Sequence, residues 1–249
     1  MIAALEFHLV GFSRSWRGTV FGSFVIPLLT MVGFGLGVGG YVQGGVDGVS
    51  YLQYLVPGLL ASTALQIALG ESLWPVLAHM EWTKMYSSQA SSPLRAADIL
   101  GGHLLYALLR VTAGATAFLL VAALFDGLRS PWALACLPIG ALLGLAIAAP
   151  VFAFSASVTN EIYLSLLMRF AVLPMSLFSG VFFPVETLPV VLRWIAYAAP
   201  LWHAVDLCRA ATLGRAPDWS PAGHLLYLAL WVVAGLALAL HRFHKRLGV

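Results

Sequence analysis

"SGVFFPVETLP", residues 179–189, breaks a long apolar run with Phe182, Phe183 and Pro184, then adds Glu186 and a second proline, Pro189. The chain turns apolar again at "PLWHAVDL", residues 200–207. A hydrophobic segment that stops, turns and resumes points to a membrane protein in which some helices cross and others only dip. Composition agrees: 61% of residues are hydrophobic and 9% charged, against about 45–50% and about 25% in soluble domains. A hydrocarbon core about 30 Å thick takes roughly 20 apolar residues per helix. The 249 residues therefore supply about six spans within one all-α transmembrane domain, 1–249.

Working outward from that stretch, the fifth span is expected at about 162–183 and the sixth at about 222–240. Earlier spans are expected at about 18–38, 54–77, 99–125 and 132–157, with turns at "DGLRSP" (126–131) and "VTNE" (158–161) and an exposed glycine-rich loop at 39–50. Residues 1–15 place Leu5, Leu9 and Phe12 on one helical stripe, as in an amphipathic helix lying on the membrane interface. Pro200 cuts the segment 184–214 into two helices too short to cross, which reads as an outer re-entrant hairpin before the last span. Arg14, Arg17, Lys84, Arg95, Arg242, Lys245 and Arg246 gather on one side, so both termini are expected in the cytoplasm.

The net charge of +3 is scattered between apolar segments, not gathered in a stripe, which argues against nucleic acid as a partner; the lipid bilayer is the expected one. The N-terminal arginines follow the first apolar residues, the reverse of a cleavable signal. Cys136 and Cys208 have no metal-ligand spacing and read as packed hydrophobes. "GLGVGG" (35–40) matches GxGxxG but ends a span with no preceding strand, so it is not a nucleotide site. Gly18/Gly22, Gly33/Gly37 and Gly140/Gly144 have the GxxxG spacing of close helix contacts. No GxxxxGKS/T, HExxH or GxSxG occurs, so the chain is expected to be no enzyme by itself, with no catalytic, metal or cofactor residue, and any ATP must be bound elsewhere.

Charges inside spans are costly, about 2.5–3.5 kcal/mol at a helix centre on the insertion scale, and mark function. Glu71 and Arg110 fall within reach of each other as an intramembrane charge pair; snorkelling of each to water is the alternative. His103 and His224 fall at span ends, where facing histidines can ligate haem. A haem- or quinone-associated anchor, or a passive pore, is therefore the rival reading.

"YLVPGLLASTA" (54–64), "SSPLRAADILGG" (91–102), "SPWAL" (130–134), "SGVFFPVETLP" (179–189) and "PLWHAVDLCRAATLG" (200–214) together resemble the ABC-2 type permeases, the membrane subunits of ATP-binding-cassette exporters. The likeness covers essentially the whole chain and is greatest to the branch of nodulation-type lipo-oligosaccharide and daunorubicin-type drug exporters. It implies six spans, an N-terminal interface helix, a coupling helix between spans two and three and outer re-entrant helices. It also implies a multi-pass protein of the bacterial plasma membrane, forming half of an export pathway for an amphipathic drug, lipid or glycolipid. The other half would be a second permease copy or a homologue. A separate ABC ATPase subunit would bind ATP and Mg.

The loop 79–98 is the expected dock for that ATPase. Glu81, Trp82, Lys84, Met85 and Tyr86 offer aromatic and methionine anchors with a charged rim. Met175, Phe178 and Phe182 are the candidates to line the pathway.

Overall fold

A computed structural model describes every residue except 39–44, 47, 126 and 249. Gly40, most of the glycine-rich loop and Asp126 thus lie outside the described residues. Regular structure among the described residues is helical, apart from one isolated bridge between Val46 and Val49.

α1 (Ile2–Thr30) continues into a π-helical stretch, Met31–Val38. The sequence divides this region into an interface helix and a span, but the structure has one continuous helix. Nothing between Arg14 and Gly18 can break it, since the segment has no proline and one glycine costs only about 1 kcal/mol. α2 (Tyr51–Ser72) starts at a capping box in which Gln53 N–H donates to Ser50 Oγ and Ser50 N–H to Gln53 Oε1. It leads through α3 (Trp74–Leu77) and π-helical Ala78–Trp82 to α4 (Met85–Ala90). α5 (Ala96–Leu124) is followed by a 3₁₀ turn, Pro131–Ala135, and α6 (Cys136–Ser155). α7 (Glu161–Leu167), capped by Asn160 Oδ1 accepting from Ile162 N–H at 2.9 Å, runs through π-helical Met168–Val172 into α8 (Leu173–Phe178).

α8 ends several residues before Phe183, where the sequence places the end of the span. Gly180 takes the left-handed φ of +76°, and Val181 turns inward against Gly58, where a β-carbon would lie 2.9 Å from Val181 Cα. The turn is buried in the bundle. α9 (Val190–Tyr197) and α10 (Pro200–Leu213) follow, about 12 and 21 Å long at helical rise, so neither spans 30 Å. α11 (Pro221–Leu247) closes the chain, with Ser220 Oγ accepting from Gly223 N–H at 3.2 Å.

Among the described residues, five helical segments are long and apolar enough to cross a membrane: Tyr51–Trp82, Ala96–Leu124, Pro131–Ser155, Glu161–Phe178 and Pro221–Leu247. The expected first span is not among them. Within it, the described residues give the apolar helical stretch Phe24–Phe34.

α2, α5 and α6 form the centre, with α1 on α5, α11 on α6 and α10 across α2 and α6. The α11–α6 contact requires glycine: a β-carbon on Gly235 would fall 2.5 Å from Pro150 Cδ. Gly102 does the same for α1 on α5, 2.6 Å from Ala4 Cβ. Of the GxxxG glycines, Gly144 meets Val111 at 3.0 Å, whereas Gly18, Gly33 and Gly37 meet nothing within 4 Å among the described residues.

Candidate functional site

α2 places Ser62, Thr63, Gln66 and Glu71 along about 14 Å of one helix. Across from them α5 supplies Arg110, whose Nη1 lies 2.9 Å from Glu71 Oε1. The same nitrogen donates to Tyr106 Oη at 3.0 Å, and the guanidinium stands 5.4 Å from the Phe12 ring of α1. Both charged side chains are mostly buried, at 24% and 15% exposure. The ion pair ties α2 to α5, and the Arg110–Phe12 contact adds α1.

Arg110 borders a groove of about 360 Å³ between α1, α2 and α5, lined also by Thr30, Ser62, Thr63 and Gln66 among apolar side chains. Thr63 and Thr30 donate to the carbonyls of Leu59 and Ile26, at 2.8 and 2.7 Å, which leaves their oxygens able to accept. Polar groups exposed in a span cost free energy unless something polar meets them, so this groove suits the polar part of an amphiphile. The sequence reading missed Thr30, Ser62, Thr63 and Gln66. An amide in the middle of "STALQIALG" (62–70) is the signal that marks them.

The helical line Tyr51–Trp82 carries these residues to the far end of the bundle. Trp82 is there 59% exposed, and Lys84 takes φ +51°, the only positive φ at a non-glycine among the described residues. Such strain persists where the surroundings enforce it, and it concentrates at functional turns. Lys84 Nζ lies 3.2 Å from Glu81 Oε2, and the other oxygen of Glu81 pairs with Arg246 of α11. Glu81 is therefore engaged with the chain's own last helix. Arg246 is a partner the sequence did not reveal.

Met85 is partly buried against the core and Tyr86 is fully buried. The Tyr86 hydroxyl lies 2.5 Å from His103 Nδ1, and burial raises its pKa well above the usual phenol range. Tyr86 cannot serve as a surface anchor in this conformation; it pins α4 to α5. The dock expected from the sequence thus separates into an exposed part, Trp82 and Lys84, and an internal part. Beside Tyr86, His8 of α1 stacks on His103 at 4.1 Å and on Tyr106 at 5.3 Å. His8 is 7% exposed, and burial, then the neighbouring His79, hold its pKa down to about 4.

Met175 lines a smaller apolar cavity of about 220 Å³ with Leu69, Pro150 and Trp231. Phe182 packs on Phe34, rings 5.7 Å apart, and Phe178 is partly buried. None of the three borders the polar groove. His103 and His224 belong to separate clusters, His103 with Tyr86 and His8, His224 with His203 and Asp206. Among the described residues no three His, Cys, Asp or Glu are placed to hold a metal ion.

Residues 2–213 match the family model described as ABC-2 type transporter. The chain is similar to Nodulation protein J of Sinorhizobium fredii, 29% identical over 99% of this chain and 93% of that protein. It is likewise similar to Nodulation protein J of Rhizobium leguminosarum bv. viciae, 27% identical over 99% and 94%. The Neorhizobium galegae protein of the same name is 29% identical over 99% and 93%.

Proposed function

The chain belongs to the ABC-2 type transporter family, and from that premise we propose that it is the permease subunit of an exporter driven by a separate ABC ATPase, forming half of the path for an amphipathic substrate. The other half is a second copy or a homologue. In this reading the second half of α1, from about residue 18, makes a sixth crossing with Met31–Val38, residues 1–15 lie at the interface, and α9–α10 is a re-entrant hairpin on the outer side. Both termini and Trp82 face the cytoplasm of a bacterium, where the ATPase binds ATP and Mg.

One observation supports this reading above the others. A single helical line, Tyr51–Trp82, holds an exposed tryptophan at one end and the polar groove residues along its middle. ATPase closure would push at Trp82 and the strained Lys84 turn. The push would pass along this line, across the backbone irregularity at Leu73 (φ −87°, ψ −95°), to Glu71 and its contact with Arg110. Moving α2 against α5 then changes the groove. Glu81 and Arg246 would carry the same motion to α11.

Co-reconstitution tests it. In proteoliposomes containing the chain and its ATPase, a fluorescent amphiphile should move only with ATP, and Trp82→Ala should reduce ATP-driven movement at least tenfold. Movement without ATP or the ATPase would instead identify a passive pore.

A further inference from the structure

The transport reading leaves one charge within a crossing segment unused. Arg169 lies about 12 Å along Glu161–Phe178, a segment about 27 Å long at helical rise, so it sits near the middle of that crossing. The segment is the least buried of the five, with 11% of its apolar window inside the bundle against 22–67% in the others. Ile162, Leu166, Arg169, Phe170, Leu173 and Leu177 are exposed, and steps of three and four residues gather them on one outward stripe. Arg169 therefore interrupts an apolar face that the other described residues leave open.

A guanidinium offers several N–H donors and no acceptor, and within hydrocarbon it persists where something polar meets it. Among the described residues Arg169 has no hydrogen bond, ion pair or ring contact. A second copy has no carboxylate to give it. Of the ten acidic residues, all but Glu71 and Asp206 fall, by sequence position, between helices or near the ends of helical segments. Glu71 is held by Arg110 at 2.9 Å, and Asp206 is buried in α10, 4% exposed, accepting from Asp218 N–H at 2.8 Å. The backbone beside Arg169 is open too. It lies in the π-helical stretch Met168–Val172, where Leu173 N–H donates to Met168 O, and Pro174 has no N–H. Both donors of the next turn therefore miss the Arg169 carbonyl. Such π-helical turns inside α-helices concentrate at functional sites.

We propose that Arg169 is an oxyanion-binding residue of the export path, taking the phosphate or carboxylate headgroup of an anionic amphiphile in transit while Phe170, Leu173 and Leu177 meet its tail. The assignment rests on the exporter reading and narrows its substrate class. An oxyanion accepts two parallel N–H bonds from a guanidinium, and the Arg169 carbonyl accepts from a hydroxyl or water carried with it.

Depth decides between this ligand and a resident lipid. A membrane phospholipid keeps its phosphate in the headgroup layer, outside a hydrocarbon core about 30 Å thick, and Arg169 near the middle of its crossing is far from both layers. An exported amphiphile must bring its headgroup past that depth, where a bare oxyanion is most costly. A fixed cation there lowers the cost for an anionic headgroup and does nothing comparable for a neutral one.

The test uses the full chain in phosphatidylcholine nanodiscs, titrated with dodecyl phosphate, dodecanoate or dodecanol and read by native mass spectrometry. Arg169→Gln removes a charge from an exposed membrane face, so the variant should insert. The wild type should hold both anions at least tenfold more tightly than Arg169→Gln, with no difference for dodecanol, and Arg169→Lys should fall between, keeping the charge without the two-pronged geometry. Equal binding of the anions to wild type and Arg169→Gln would overturn the site. So would their displacement by inorganic phosphate, which marks a free-anion site, or by phosphatidylglycerol added to the nanodisc, which marks a resident-lipid site. Proteoliposomes with the ATPase separate the two claims. Arg169→Gln should cut ATP-driven movement of a fluorescent alkyl phosphate at least tenfold and spare the matching alcohol; unchanged movement of the phosphate would overturn the role in transit. A wild type that binds the anions through Arg169 yet moves neither probe would instead overturn the exporter reading.

Discussion

Arg110 Nη1 lies 2.9 Å from Glu71 Oε1, joining α5 to α2 beside a groove lined by Ser62, Thr63 and Gln66. Reversing either charge leaves two like charges facing at membrane depth. Glu71→Arg and Arg110→Glu should each lower thermal stability in detergent and abolish export. The double reversal should recover part of both, with a coupling of about 1–2 kcal/mol in a double-mutant cycle. A zero coupling term contradicts the pairing.

Trp82 and Tyr86 are four residues apart yet should behave oppositely, because one is exposed and the other buried on His103. Trp82→Ala should leave stability within about 0.5 kcal/mol and reduce ATPase binding. Tyr86→Phe should cost about 1–3 kcal/mol, by stranding His103 Nδ1, and leave ATPase binding intact. Thermal melts and pull-downs on both variants check this, and matching behaviour of the two would contradict it.

Glycines at close helix contacts should be far less tolerant than those in open positions. Gly235→Ala pushes a methyl group into Pro150 and should destabilise by about 1–3 kcal/mol. At Gly33 the added methyl meets nothing among the described residues, so Gly33→Ala should leave the melting temperature nearly unchanged.

The docking of α1 should be acid-labile. His8 has a folded pKa of about 4 against the ordinary 6.5, so the unfolded or undocked chain binds the proton more readily. The resulting stabilisation is full above about pH 6.5 and is lost as pH falls toward 4. His8→Phe keeps the ring stack on His103 and should flatten this part of the pH–stability curve. A wild-type curve flat from pH 7 to 5 would contradict the assignment.

Much of this was legible in the sequence, and the exceptions have physical reasons. Composition alone gives a helical membrane protein, and Pro200 gives the break between α9 and α10. Glu71 and Arg110 stand out because charges inside apolar runs are few and helical rise sets their depth. Tyr86 misled because an aromatic beside charges looks the same whether it faces a partner or its own core. Gly102 and Gly235 lie outside GxxxG spacing, since each meets a helix through a single close point. The expected division between an interface helix and a first span does not appear as a break, because α1 runs unbroken through both. The His203–Asp206–His224 cluster joins two helices across a loop, a contact that no spacing within one segment predicts.

The central claim is that this chain passes the work of a separate ATPase through Trp82. Affinity purification of the tagged full chain from native membranes, wild type beside Trp82→Ala, followed by mass spectrometry, tests it most directly. The account predicts an ABC ATPase stoichiometric with the wild-type chain and depleted at least tenfold with the variant. A wild-type chain that brings down no ATPase, or a variant that retains it in full, would contradict it.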